Sequence, residues 1–308
     1  MTLFPWKKKK HEKIQLHPTY ESESNVKRDF ISATAPRSTL QPTSEPDASE
    51  QRGETRLLSY QVANLQGLGT CERQEDSFSF TNALDVTMIR ERGLFAVVAD
   101  GMGGMKDGRE ASEAVISGLK AGFCDFDYQV DIVKQLYDCV MSANESVFHM
   151  LDGEGGSTVV ACVLYRENLY YASVGDSYLY LKRNGLLIRL NRPQNVLNEL
   201  YLQSIRAGNI DPRKAEQNRE KAALTHFLGM EELDDIDFLR TPLPLKNGDV
   251  LLICSDGVAG MLTEEQIMKC LMEAEPQRMC DAIEQEIGRR PTGQYQDNYT
   301  ALIIQCGY

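Results

Sequence analysis

Between Ser157 and Leu190 four short β-rich runs, STVVACVLY, LYYASV, SYLYLKR and LLIRL, follow one another with only turn signals between them, at Glu167-Asn168, Gly175-Asp176 and Asn184-Gly185. The Asn-Gly pair is a strong hairpin signal, because both residues tolerate the positive φ of a two-residue turn. Further strand-like runs are LLSYQV, DSFSFT, LFAVVAD, DIDFLRTPL, DVLLICS and YTALIIQ. Helical patterns come in pairs. GREASEAVISGLKAGF precedes the longer YQVDIVKQLYDCVMSANESVFHML, and LTEEQIMKCLME precedes PQRMCDAIEQEIG. Thr263 is placed to cap the third of these helices and Pro276 to start the fourth. Residues 194–230 read as helical with breaks at Gly208, Pro212 and Gly229. Strands in runs with helices in pairs predict an α+β fold, two antiparallel sheets with helices outside them, rather than a βαβ wheel.

The charge is uneven. Residues 1–58 hold ten Lys/Arg and eight Asp/Glu, so the net charge of −12 comes from the remainder. That segment is rich in Ser, Thr, Pro and Glu and lacks apolar periodicity, and it is expected to be a flexible tail. Its start, LFPWKKKKHEK, sets Leu3, Phe4 and Trp6 beside Lys7 to Lys10. Such a cluster can touch an anionic membrane at about 1 kcal/mol per Lys, but four lysines make a weak anchor and a solvated tail is the expectation. The acidic balance excludes nucleic acid as the main partner. No run reaches the roughly 18 apolar residues of a membrane helix, and no apolar signal core opens the chain. The eight cysteines form no C-x-x-C pair and sit mostly in apolar runs. They read as buried thiols in a reducing, cytoplasmic compartment.

Four aspartates stand at the lips of apolar strands. Asp100 ends LFAVVA, Asp176 follows YYASVG, Asp256 ends VLLICS, and Asp297 precedes YTALIIQ by two residues. Glu75 and Asp76 open DSFSFT in the same manner. If these lips converge, two bare carboxylates about 5 Å apart repel by about 3 kcal/mol at an effective dielectric near 20. Little fixed Lys or Arg lies nearby, so a divalent cation is the natural compensation. All-oxygen donors select Mg²⁺ or Mn²⁺ before Zn²⁺. Gly101 lets the backbone carbonyl approach such an ion. Other chemistry fails. There is no Walker-type phosphate loop, GMGGMKDG misses the dinucleotide pattern at Lys106, and no H-E-x-x-H occurs. The four histidines are scattered, and no nucleophile dyad follows from spacing.

The ordered set VVADGMGGMKDGREAS, GGSTVVACVLYRENLYYASVGDS, GDVLLICSDGVAGMLTEEQI and QDNYTALII resembles the metal-dependent protein phosphatase family, the PPM or type 2C serine/threonine phosphatases, in its compact bacterial form. The resemblance covers residues 59–308. It implies a four-layer α-β-β-α sandwich and a binuclear Mn²⁺/Mg²⁺ centre at one end of the sheets. By that resemblance Asp100 bridges both ions, the Gly101 carbonyl binds the second, and Asp256 and Asp297 complete the first. Glu75 and Asp76 hold metal waters, and Asp176 with Asp256 holds a weaker third ion. The stretch from about 192 to 230 resembles the flap beside the cleft. The implied activity is hydrolysis of phosphoserine or phosphothreonine in proteins by a metal-activated water, with substrates supplied by a cognate Ser/Thr kinase. A monomer is expected, since no heptad repeat is present.

The chain also departs from the family. The Arg that grips phosphate, five residues before the position of Asp76, is Cys71. Arg73, two places on, keeps the same strand face about 7 Å away and is the candidate for the substrate phosphate. G-D-S-R is G-D-S-Tyr178, an Asp four residues after Asp256 is Gly260, and Met102 stands where eukaryotic members often carry His. Cys71 and Gly260 keep open an alternative, a weakly active or inactive phosphatase-like binding module. A third reading is activity on a small phosphorylated metabolite.

Overall fold

The computed structural model describes residues 58–102, 108–208, 212–289 and 293–308. The chain divides after Gly53, and all described residues lie in the second unit. The expected tail and its LFPWKKKKHEK start therefore fall outside the described residues, apart from Leu58. So do residues 103–107 of the glycine loop. In chain order the elements are β1 (Ser59–Gly67), β2 (Asp76–Thr81), α1 (Val86–Arg92), β3 (Leu94–Asp100), α2 (Gly108–Cys124) and α3 (Ile132–Leu151). Then come β4 (Val159–Tyr165), β5 (Asn168–Val174), β6 (Tyr178–Arg183), β7 (Leu186–Arg189), α4 (Val196–Arg206) and α5 (Pro212–Glu216). The chain closes with β8 (Asp237–Phe238), β9 (Leu243–Pro244), β10 (Val250–Cys254), α6 (Asp256–Ala259), α7 (Glu264–Cys270), α8 (Pro276–Gly288) and β11 (Tyr299–Gly307).

Two antiparallel sheets form, one in the order β1-β11-β10-β6-β7 and the other β2-β3-β4-β5-β8, with β9 also on β5. The central strands are apolar on both faces because each face meets a different layer. On β3, Leu94, Ala96 and Val98 point between the sheets, while Phe95, Val97 and Ala99 meet α2 and α3. On β11, Leu302 and Ile304 point between the sheets, and Ala301 and Ile303 meet the α7–α8 side. Three stacked apolar cores thus separate four layers, the α-β-β-α sandwich the sequence implied. Among the described residues no helix is long and apolar enough to cross a membrane.

Local signals explain most boundaries. Thr263 caps α7 in a reciprocal capping box with Gln266, and Pro276 occupies the first turn of α8. Asn184 and Gly185, at φ 53° and 76°, make the β6–β7 hairpin turn. The β4–β5 turn lies one residue earlier than expected, on Arg166 and Glu167, both at positive φ. Helix α3 starts at Ile132 rather than near Tyr128, because the Asp131 carboxylate accepts the Val133 and Lys134 N–H groups.

Among the described residues of 194–230, helix is confined to α4 and α5. From 217 on, backbone groups pair across the segment instead. Val196 N–H donates to Ala223, Thr225 N–H to Gln194, and Ser157 and Leu228 exchange both bonds. Helices α1 and α6 are short and were not anticipated. Of the eight thiols all are free, five are buried, and Cys124 is exposed.

Asp249 is 1% exposed, and its carboxylate takes Arg183 Nε at 2.8 Å, Arg183 Nη2 at 2.5 Å and Lys246 N–H at 2.7 Å. Removing one partner of such a pair strands the other. Asp249→Ala is expected to lose about 3 kcal/mol in urea unfolding. Glu113→Ala, at the exposed pair with Arg109, is expected to leave the urea midpoint at the wild-type value.

Candidate metal centre

The two sheets end together. In the second sheet, Asp76 opens β2 and Asp100 closes β3, and the ladder sets them directly opposite. In the first sheet, Asp256 follows β10 after Ser255, and Asp297 precedes β11. Asp176 lies in the β5–β6 link that carries the chain from one sheet to the other. A cleft of about 650 Å³ at this end is lined by Glu75, Asp100, Gly101, Asp176, Asp256 and Asp297, with Cys71 and Arg73 on its wall. Ala222 and Leu224 line it from the irregular stretch after α5. Asp76 does not line it. It is 4% exposed and lies behind, where Oδ2 accepts the Ser255 hydroxyl at 2.7 Å.

The Asp100-Gly101 corner is held by backbone bonds. Asp100 N–H donates to Thr158 Oγ1 at 3.1 Å, and Thr158 N–H returns to the Asp100 carbonyl at 2.8 Å. Gly101 N–H donates to the Glu75 carbonyl. A Cβ on Gly101 would stand 2.0 Å from the Gly108 carbonyl, so the start of α2 packs where only glycine fits. Gly257 is as constrained, since its Cβ would meet the Asn298 carbonyl at 1.8 Å. Asn298 then ties three segments. Its Oδ1 accepts Glu75 N–H at 2.8 Å, and its Nδ2 donates to the Leu68 carbonyl at 2.9 Å.

Electrostatics follow from crowding. Burial, then the charges of Asp76, Asp256, Asp176 and Asp297, push Asp100 well above the usual carboxylate range. Burial and then the Asp297 charge raise Asp256, while its contacts with Asp100 and the Gly257 backbone oppose the rise. Burial lifts Asp76 to about 6 against the Ser255 and Thr300 hydroxyls, with Asp256 and Asp297 adding to the rise. Asp176 is lifted to about 7 by burial and then by Asp256, while Asn195 and Arg189 oppose the rise.

This donor set fits a hard divalent cation. Its atoms are carboxylate and carbonyl oxygens, its charges repel, and Asp76 Oδ1 is buried without a hydrogen bond of normal geometry. Among the described residues no three His, Cys, Asp or Glu are already gathered at ligand distance about one point. Burial and neighbouring negative charge push both Asp100 and Asp256 up, which is the repulsion a cation would relieve.

Sequence reasoning missed the polar residues that hold the aspartates. Thr158 and Ser177 share a buried 2.7 Å bond behind Asp100. Thr300 N–H donates to Ser255 Oγ. Gln66 spans the sheets, donating to the Asp76 carbonyl and to Thr300 Oγ1. Their signal was weak but present, as small polar residues inside strands otherwise apolar. Cys71 meets Asp297 itself, with Sγ 3.4 Å from Oδ1.

The family profile described as Protein phosphatase 2C matches residues 74–289 of this chain, an interval that stops short of Asp297. The serine/threonine phosphatase stp of Listeria innocua is 25% identical over 224 residues, spanning 70% of this chain and 86% of that one. The PPM Ser-Thr phosphatase MsPP from Mycobacterium smegmatis, crystallised with cacodylate, superposes with a TM-score of 0.63 at 25% identity, over 79% of this chain and 97% of that one. The catalytic domain of the phosphatase PstP, solved with two manganese ions, shares the fold with a TM-score of 0.62 at 24% identity, over 82% of this chain and 99% of that one.

Because Asp76 and Asp176 keep their protons to higher pH when folded than when unfolded, their contribution to stability is complete below about pH 4. It is lost as pH rises through about 6 and 7. In chelator, the urea midpoint is expected to fall between pH 5 and 7.5, and Mn²⁺ at pH 7.5 is expected to restore it. A midpoint flat with pH and indifferent to Mn²⁺ would contradict this account of the cleft.

Proposed function

The chain belongs to the protein phosphatase 2C family, and from that membership we propose that it is a metal-dependent protein serine/threonine phosphatase whose chemistry takes place in the acidic cleft. The observation that carries the reading is the gathering of Asp100, Asp176, Asp256 and Asp297 at the shared end of two sheets, with burial and like charge raising Asp100, Asp176 and Asp256 together.

Asp100, the Gly101 carbonyl, Asp256 and Asp297 would hold two Mn²⁺ or Mg²⁺ ions, with Glu75 beside them. Bound there, the ions supply Lewis acidity toward phosphoryl oxygens and acidify water for in-line attack on phosphorus. The protein's own groups do the rest. Asp76, fixed by Ser255, supports the wall behind Asp100. The interlocked backbone at Asp100-Gly101 presets the site, so little reorganisation is needed when substrate arrives.

Arg73, exposed on the cleft wall, is the group we assign to the substrate phosphate, as a charged donor to its oxygens. Cys71 is not the nucleophile in this reading. Burial raises its thiol and the Asp297 carboxylate beside it adds to that, against a hydrogen bond from Tyr295, whereas a thiol nucleophile needs a lowered pKa. Substrates are phosphoserine and phosphothreonine proteins from an opposing kinase, and the setting is cytoplasmic. The departure at Cys71 favours one second reading, a domain that binds ions and phosphopeptide with little turnover.

Asp100→Asn is expected to cut Mn²⁺-dependent phosphate release from a phosphothreonine peptide by about 10³-fold or more. Arg73→Ala is expected to raise KM about tenfold with kcat within about twofold. Full activity in Asp100→Asn, or turnover indifferent to chelator, rejects the mechanism. Mn²⁺ binding by calorimetry with no turnover in the wild type selects the binding domain instead.

A further inference from the structure

Arg189, the last residue of β7, pairs across the hairpin with Tyr180. Tyr178, two residues back along β6, lies on the same face as Tyr180. The Arg189 guanidinium carbon stands 3.8 Å from the centre of the Tyr178 ring. From there Nη2 reaches the Asp176 carbonyl at 3.4 Å, while Nε is buried with no hydrogen-bond partner. Leaving the buried Nε unused is unfavourable unless charge compensates. The compensating charge is next door. Asp176 lines the acidic cleft with Asp256, and Arg189 meets the backbone of that same turn. The ring of Tyr178 holds the cation in place by its quadrupole and blocks its swing to solvent. Tyr178 is also the residue that stands where the family motif carries an Arg, so the positive charge reaches the turn from the facing strand.

We infer that Arg189 is a positioning residue, a fixed cation that holds the Asp176 turn and neutralises that arm of the cleft, so that Asp176 does not recruit an ion of its own. The inference rests on the cleft being a cation site. It predicts that removing the fixed charge opens a place for a mobile one.

Calorimetric titration of Mn²⁺ into the full chain, first stripped with chelator, tests it. Wild type and Arg189→Lys are expected to take up the same number of ions with similar affinity. Arg189→Met, of similar length and uncharged, is expected to bind one more Mn²⁺, or to bind its weakest one at least tenfold tighter. Adding Asp176→Asn to Arg189→Met is expected to erase that gain. The inference is overturned if the Arg189→Met isotherm superimposes on the wild type, if the gain survives Asp176→Asn, or if Arg189→Lys gains as much as Arg189→Met. In those three cases the phosphatase reading still stands. A wild type that takes up no Mn²⁺ overturns both. Should circular dichroism show Arg189→Met unfolded, Tyr178→Leu frees the guanidinium from its ring and is expected to tighten the weakest Mn²⁺ in the same direction; no change there overturns the inference as well.

Discussion

Like charge confined at the shared end of two sheets is the constraint on which this structure turns. The β2–β3 ladder fixes Asp76 opposite Asp100, and the backbone cannot part them without breaking a sheet. Two such charges about 5 Å apart carry roughly 3 kcal/mol of repulsion at an effective dielectric near 20. Each carboxylate answers this differently. Asp76 takes a hydroxyl from Ser255, and Asp100 and Asp256 are both pushed up by burial and like charge. Asp297 accepts its own neighbour's N–H, from Asn298, and a thiol from Cys71. Asp176 has Arg189 near its turn. What is left uncompensated faces the cleft.

The sandwich keeps those groups together by latching its sheets at that end. Between the sheets most of the packing is apolar and non-directional, so it sets spacing but not register. Register comes from a few polar links, namely Gln66 from β1 to the Asp76 carbonyl and to Thr300, Ser255 from β10 to Asp76, and Asn298 between Leu68 and Glu75. Gly101 and Gly257 let backbones close to distances a Cβ forbids. These links cost side-chain freedom in a region rich in unfavourable charge, so the end of the sandwich that does chemistry is held by specific bonds rather than by bulk burial.

The layers were legible because burial on both faces writes itself into strands as unbroken apolar runs. LFAVVAD and the run ending VLLICS could be placed from composition alone, and turn chemistry located the β6–β7 hairpin. The segment 194–230 was not legible. Its apolar spacing suits a helix, yet its backbone bonds are satisfied by Gln194, Asn195 and Ser157, residues far off in sequence or across a turn. Nothing local announces such pairings. At the cleft, the aspartates were visible as charges in the wrong company, at the ends of apolar strands. Their supports were not, because a serine or threonine inside a strand carries the same letter whether it packs idly or braces a carboxylate. Asp76 shows the limit of that reading. Its position in sequence suggested the cleft, and its burial behind Ser255 is a matter of which way a strand's first residue faces.

Three departures from the family pattern each fall at a position where that pattern carries a charged residue. The pattern's Arg is absent at Cys71, and the thiol there turns to Asp297. The pattern's Asp is absent at Gly260, where a Cβ would come within 2.8 Å of the Asp256 carbonyl. At the third departure Tyr178 stands where the pattern has an Arg, and Arg189 sets a guanidinium over its ring from the facing strand. The cleft keeps the carboxylates on which cation binding would depend. Arg73 is a basic side chain exposed on its wall, with the freedom of a surface group and screened electrostatics.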